Sequence, residues 1–127
     1  MKSDRTKATD ISAKVKKIVW ERDEGRCVVC GCNQNVMPNA HYISRNHGGL
    51  GIPENVVTLC TELTPNKCHR KFDFGTREER EQIGQKIEEY LRNQYSDWNK
   101  GKLVYKKGWL LWEILKKYLY QEVSMMN

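Results

Sequence analysis

The sequence predicts a small α+β protein with helices on either side of a core stapled by a zinc ion on four cysteines. Three observations carry this. Apolar residues recur at helical spacing over 11–22 and 77–95. The stretch between them is turn-rich, with short β-branched runs of strand length. Two cysteine pairs, Cys27/Cys30 and Cys60/Cys68, frame that stretch. With 127 residues the chain is expected to hold one domain, and a module of this size gains from a structural metal.

Residues 1–10 are polar and charged, so a flexible N-terminus is expected there, and 11–127 a single domain with its core at about 20–75 and a helical extension over 76–127. Ile11, Val15, Ile18 and Val19 give 11–22 an amphipathic helix, capped by Asp10 or Ser12. Lys14, Lys16 and Lys17 lie on its polar side, as a solvated face or a nucleic-acid contact. Gly25-Arg26 is a turn, and Gly31, Asn33, Asn35 and Pro38 keep the next stretch in loops and short strands. Residues 41–43 suit a short strand, 48–51 a glycine-rich loop, and 55–60 a strand or the entry to a helix. A polar loop over 61–67 precedes a helix that begins at Cys68. Thr76 and Glu79 form a capping box for 77–95, whose Ile83, Ile87, Tyr90, Leu91 and Tyr95 keep helical spacing. Gly101 breaks the pattern, and Trp109, Leu111, Trp112, Leu115 and Leu119 predict a last helix over 109–120 that serves as core or as a protein interface.

The formal net charge is +6, from 22 Lys+Arg against 16 Asp+Glu. That balance favours an anionic partner, of which nucleic acid is the commonest. No apolar run approaches the roughly 20 residues of a membrane span, and residues 1–10 lack the apolar segment of a secretory leader. A cytoplasmic location is therefore expected, where paired cysteines more often bind metal than form disulfides. Cys27-x-x-Cys30 is a knuckle that can offer two thiolates to one tetrahedral zinc. Cys60 and Cys68 supply the second pair; the loop between them is longer than usual, at a modest cost in closure entropy. The alternatives are a metal-free pair in a core or a redox motif, and the latter would want a βαβ setting. Cys32 is left over, as a free thiol or an alternative ligand.

Four further segments lie in the same frame: Ala40-His41-Tyr-Ile-Ser-Arg45, Gly48-Gly49, Glu54-Asn55-Val-Val-Thr-Leu-Cys60 and Cys68-His69. Together they resemble the HNH endonucleases, over roughly residues 20–75. The segment from Tyr90 to Asn99 is also similar to the small HNH proteins found in phage genomes. The resemblance implies a ββα-metal fold, with His41 and the Asn55 loop on two antiparallel strands and His69 on the following helix. It implies DNA as substrate, hydrolysed by nicking or double-strand cleavage, and a catalytic divalent cation (Mg2+, Mn2+, Ni2+ or Zn2+) beside the structural Zn2+. For phage-borne members it adds a terminase as partner and the host cytoplasm as location.

By that resemblance His41 is the general base, His69 holds the catalytic cation, and Asn55 orients the base or completes the metal shell. A neutral imidazole near pH 7 suits the first task. Asp73 stands four residues after His69, so a helix would put both on one face, and it is a candidate second ligand. Arg45, Arg70 and Lys71 are candidates for phosphate contacts, or plain surface cations. His69 beside Cys68 could instead complete a zinc site of three cysteines and one histidine. One position departs from the family: many members carry Asp, Glu or His just before the base histidine, and here it is Ala40. Water, Asn55 or His47 could replace that ligand, or His41 could itself bind metal and leave the base to another group, or catalysis could be weak. The other class of function is a zinc-binding nucleic-acid module without catalysis, and a third is a protein-interaction module using 109–120.

Overall fold

Two antiparallel strands and the helix that follows them organise the chain. In the computed structural model, which describes residues 2–107, β1 (Val36–His41) pairs with β2 (Val56–Cys60), Val36 opposite Cys60 and His41 opposite Val56. The register slips between Met37 and Ala40. Pro38 lies in that slip, where its missing N–H breaks no regular ladder bond. Helices α1 (Asp4–Thr9) and α2 (Ala13–Arg22) precede the strands, and α3 (Cys68–Phe74) and α4 (Arg77–Gln94) follow. The chain is thus α+β, with one two-stranded sheet among the described residues. The expected helix over 109–120 lies outside the described residues.

Every residue of β2 is buried. Val57 and Leu59 join Ala40, Ile83, Ile87, Leu91, Trp98 and Leu103 in one apolar core. The spacing of Ile83, Ile87 and Leu91 therefore carries the inward stripe of α4, as the sequence pattern requires. The capping box of Thr76 and Glu79 is formed on both sides, and α2 takes Ser12 rather than Asp10 as its cap. A buried ion pair locks α2 to the sheet. Arg22 donates to Asp23 (2.7 Å) and to the carbonyls of Pro53 (2.6 Å) and Val56 (2.7 Å). Asp23 accepts from Thr58 N–H (2.8 Å) and Tyr90 O–H (2.5 Å). Each charge is thereby paired and hydrogen-bonded, the condition under which burial is tolerable.

The expectation of a flexible N-terminus is corrected: residues 4–9 form α1, capped by Ser3. The reason is tertiary. Thr9 is buried, Ala8 O accepts from Gly51 N–H (2.9 Å), and Arg5 donates to the carbonyls of Arg45 (2.9 Å) and Asn46 (3.1 Å). The long connection from β1 to β2 is clamped from its other side by the segment after α4, through Leu50 N–H to Leu103 O and Tyr105 N–H to Gly48 O, both 2.8 Å. The short strand expected at 41–43 lies earlier in the chain: β1 runs Val36–His41, and Tyr42 and Ile43 fall beyond its end. No described helix is long and apolar enough to cross a membrane.

Candidate functional site

Four thiols converge at one end of the sheet. The sulfurs of Cys27, Cys30, Cys60 and Cys68 all lie within 4.8 Å of one another, and Cys30 Sγ is 3.8 Å from Cys60 Sγ. A tetrahedron with Zn–S bonds of about 2.3 Å has sulfurs roughly 3.8 Å apart, so the donor set fits a zinc ion. Backbone N–H groups already point at the sulfurs: Cys68 N–H donates to Cys60 Sγ (3.2 Å) and Cys30 N–H to Cys27 Sγ (3.5 Å). The long Cys60–Cys68 connection closes because Thr64 folds it. Its hydroxyl donates to Thr61 O (2.9 Å) and accepts from Lys67 N–H (3.0 Å). Without metal the thiols cannot all ionise: a hydrogen bond from Cys68 pulls Cys27 down to about 4, and the Cys27 thiolate in turn pushes Cys68 up. Cys32 is outside the cluster, its thiol against Gln34 O at 3.8 Å. His69 is also outside it, so the four-cysteine set stands and the set with one histidine does not.

The other end of β1 carries His41. Its Nε2 lies 2.8 Å from Thr9 O. A carbonyl only accepts, so Nε2 carries the hydrogen and Nδ1 of the neutral ring is bare. Burial holds the His41 pKa below its usual 6.5; the Thr9 carbonyl and Asp73 oppose this, while Arg45 and His69 reinforce it. On α3 His69 Nε2 and Asp73 Oδ2 are 3.3 Å apart, on one face as the spacing of four requires. At that distance the two side chains form an (i,i+4) ion pair when the imidazole is protonated. Among the described residues no third histidine, cysteine or carboxylate joins them.

Asn55 is fully buried and its side chain is committed to backbone. Oδ1 accepts from Ile43 N–H (2.8 Å), and Nδ2 donates to Ile43 O (3.1 Å) and Leu50 O (2.9 Å). It pins the loop that leaves His41. Gly49 is required there, since a Cβ would lie 1.6 Å from Ile43 O. Ala40 points into the apolar core with no exposed surface, so a carboxylate at that position would be buried beside Val57 rather than offered to a cation. His47 sits in a short turn with Nδ1 2.8 Å from Ser44 Oγ.

The three cations named for phosphate contacts all have carboxylate partners: Arg45 pairs with Asp10, Arg70 with Glu62 (3.3 Å) and Lys71 with Glu79 (4.0 Å). Of these, Arg45 alone lines a cavity with His41, about 600 Å³ in volume, together with Lys2, Lys7, Asp10 and Lys16. Thr9, Lys2 and Lys7 carry no motif, and no local pattern singles them out; Asp10 stands out in the sequence only as a candidate helix cap. Comparison of the chain with family models, curated proteins and solved structures finds no match.

Proposed function

We propose that this protein is a metal-dependent DNA endonuclease of the HNH type, with a ββα-metal core formed by β1, β2 and α3. Two observations support the reading: β1 ends in a tautomer-fixed His41, and α3 carries the His69–Asp73 pair. In this reading Nδ1 of His41 takes the proton from a water molecule as its oxygen attacks the scissile phosphorus, and the bond to the leaving 3′-oxygen breaks. Thr9 O keeps the Nε2 proton in place throughout, so the ring has one basic nitrogen to offer. A divalent cation held by His69 and Asp73 would supply charge neutralisation on the phosphoryl and leaving oxygens. Asn55 contributes by holding the Tyr42–Ile43 backbone, and through it the end of β1. The four cysteines would hold zinc and fix the start of α3 against β2.

Plasmid nicking with added Mg2+, Mn2+ or Ni2+, compared between wild type and His41→Ala, tests the reading. Metal-dependent nicking lost in the variant supports it; equal nicking in both overturns it. The second reading, a zinc-binding nucleic-acid module without catalysis, is favoured by one observation: the His69/Asp73 pair has no third protein ligand among the described residues, and Ala40 faces the core. It predicts salt-sensitive DNA binding with no cleavage under any metal. A phage origin and a terminase partner remain part of the proposal through the resemblance alone.

A further inference from the structure

The cavity beside His41 is walled largely by residues in and around α1 and the first turn of α2. Lys2, Lys7, Lys16 and Arg45 bring four cations to it, against the one carboxylate of Asp10. Lys7 and Lys16 are exposed and have no ion pair among the described residues. Asp10 is shared: Lys2 Nζ donates to Oδ2 at 2.8 Å, and Arg45 donates to Oδ1. Gathering like charges in one concave wall is unfavourable unless an anion is to be held there. At about 600 Å³ the space exceeds what one phosphate group needs.

We propose that this cleft is a groove for the nucleic-acid backbone leading to His41, and that Asp10 occupies it as an internal substitute for a phosphate. The exchange is inexpensive. Lys2 and Arg45 are 67% and 50% exposed, and ion pairs at that exposure contribute little net stability. The two non-bridging oxygens of a phosphodiester could take Lys2 and Arg45 as the two carboxylate oxygens of Asp10 do. α1 and the first turn of α2 thus become part of the substrate surface. The inference rests on the nuclease reading for the meaning of His41, although the charge of the cleft does not depend on it.

Fluorescence anisotropy of a labelled DNA duplex, titrated with the full zinc-loaded chain across a salt series, tests the groove. Lys16→Glu weakens binding several-fold and lowers the slope of log K against log salt by about one. Lys86→Glu, the same charge change on exposed α4, leaves the slope in place. Asp10→Asn tightens binding more than Glu89→Gln, its charge-matched control on α4. Equal effects of Lys16→Glu and Lys86→Glu, or weaker binding by Asp10→Asn, overturn the groove; matched zinc content and melting temperature ensure that folded chains are compared. Nicking by the same proteins separates the two readings. No nicking with the charge effects intact sinks the nuclease and leaves the groove, whereas nicking that ignores Lys16 and Asp10 does the reverse.

Discussion

The two ends of β1 handle polar chemistry in opposite ways. At the Val36 end the cysteine cluster is closed: four donors, three of them buried, with backbone N–H groups aimed at sulfur. At the His41 end the site is open: one ring with a bare nitrogen, one histidine–aspartate pair, and a cationic cleft alongside. A closed donor set leaves no position for substrate and so can only hold structure, while an open one leaves coordination and protons free for chemistry. The difference predicts which end governs stability and which, on the proposed nuclease reading, would govern activity.

The largest effect should come from the closed end. Cys60→Ser, or chelation of the zinc, removes a ligand from the junction of β2 and α3. Zinc binding in small modules is worth about 10–16 kcal/mol, comparable with the roughly 5–15 kcal/mol that holds a whole domain folded. Loss of the cooperative melting transition is expected by calorimetry. A chelated protein that melts like the untreated one would show that the thiols stabilise nothing through metal.

His41→Ala should do the converse. A positioned general base contributes roughly 10²–10⁴-fold, so metal-dependent nicking should fall by that factor. The lost hydrogen bond to Thr9 O costs only about 1 kcal/mol, so melting should move by no more than a few degrees. Gly51→Ala should fall between. A Cβ there would lie 2.0 Å from Asp10 O, so α1 must shift, taking the Thr9 carbonyl from His41. A displacement of that kind is expected to cost about 10–100-fold in nicking while the protein still binds one zinc. Unchanged nicking in this variant would mean that Thr9 does not set the ring.

These elements mark how far the sequence could be read. The cysteine pairs, the capping box and the stripe of α4 are local patterns, so spacing alone located them. The His69–Asp73 face followed from helical periodicity once α3 was expected. What escaped was tertiary. Nothing in residues 2–10 announces a helix, because α1 exists by bonding to Gly51, Arg45 and Asn46 some forty residues away. The orientation of Ala40 was hidden for a similar reason, since a register slip next to Pro38 decides which face of β1 it occupies.

The pH profile offers a smaller effect at the open end. On the proposed nuclease reading the reacting form of His41 is unprotonated, so activity would be full above its folded pKa and lost as pH falls through it. Burial places that value below 6.5, and the acid limb of kcat/KM should lie there. Arg45 adds to the lowering, so Arg45→Ala should move the limb upward, towards 6.5. A limb that stays in place or moves down would remove Arg45 from the electrostatics of the base, whatever the variant does to binding.

The smallest effect is expected at Cys32, and it tests whether the closed end is as closed as the geometry indicates. Cys32 stands two residues from Cys30, the most exposed of the four clustered thiols, and could in principle exchange with it. Two features oppose that. Its sulfur is outside the set that lies within 4.8 Å, and burial first, then the neighbouring Cys30 and Cys60, push its thiol up to about 12. A thiol that resists ionisation among four better-placed donors competes poorly for zinc, because the ligand is the thiolate. Cys32→Ser should therefore keep one zinc per chain and a melting temperature within about a degree, as for surface changes generally. Cys30→Ser, measured beside it, should lose zinc affinity. If the two variants behaved alike, Cys30 and Cys32 would be sharing one coordination position, and the cluster would have a movable edge.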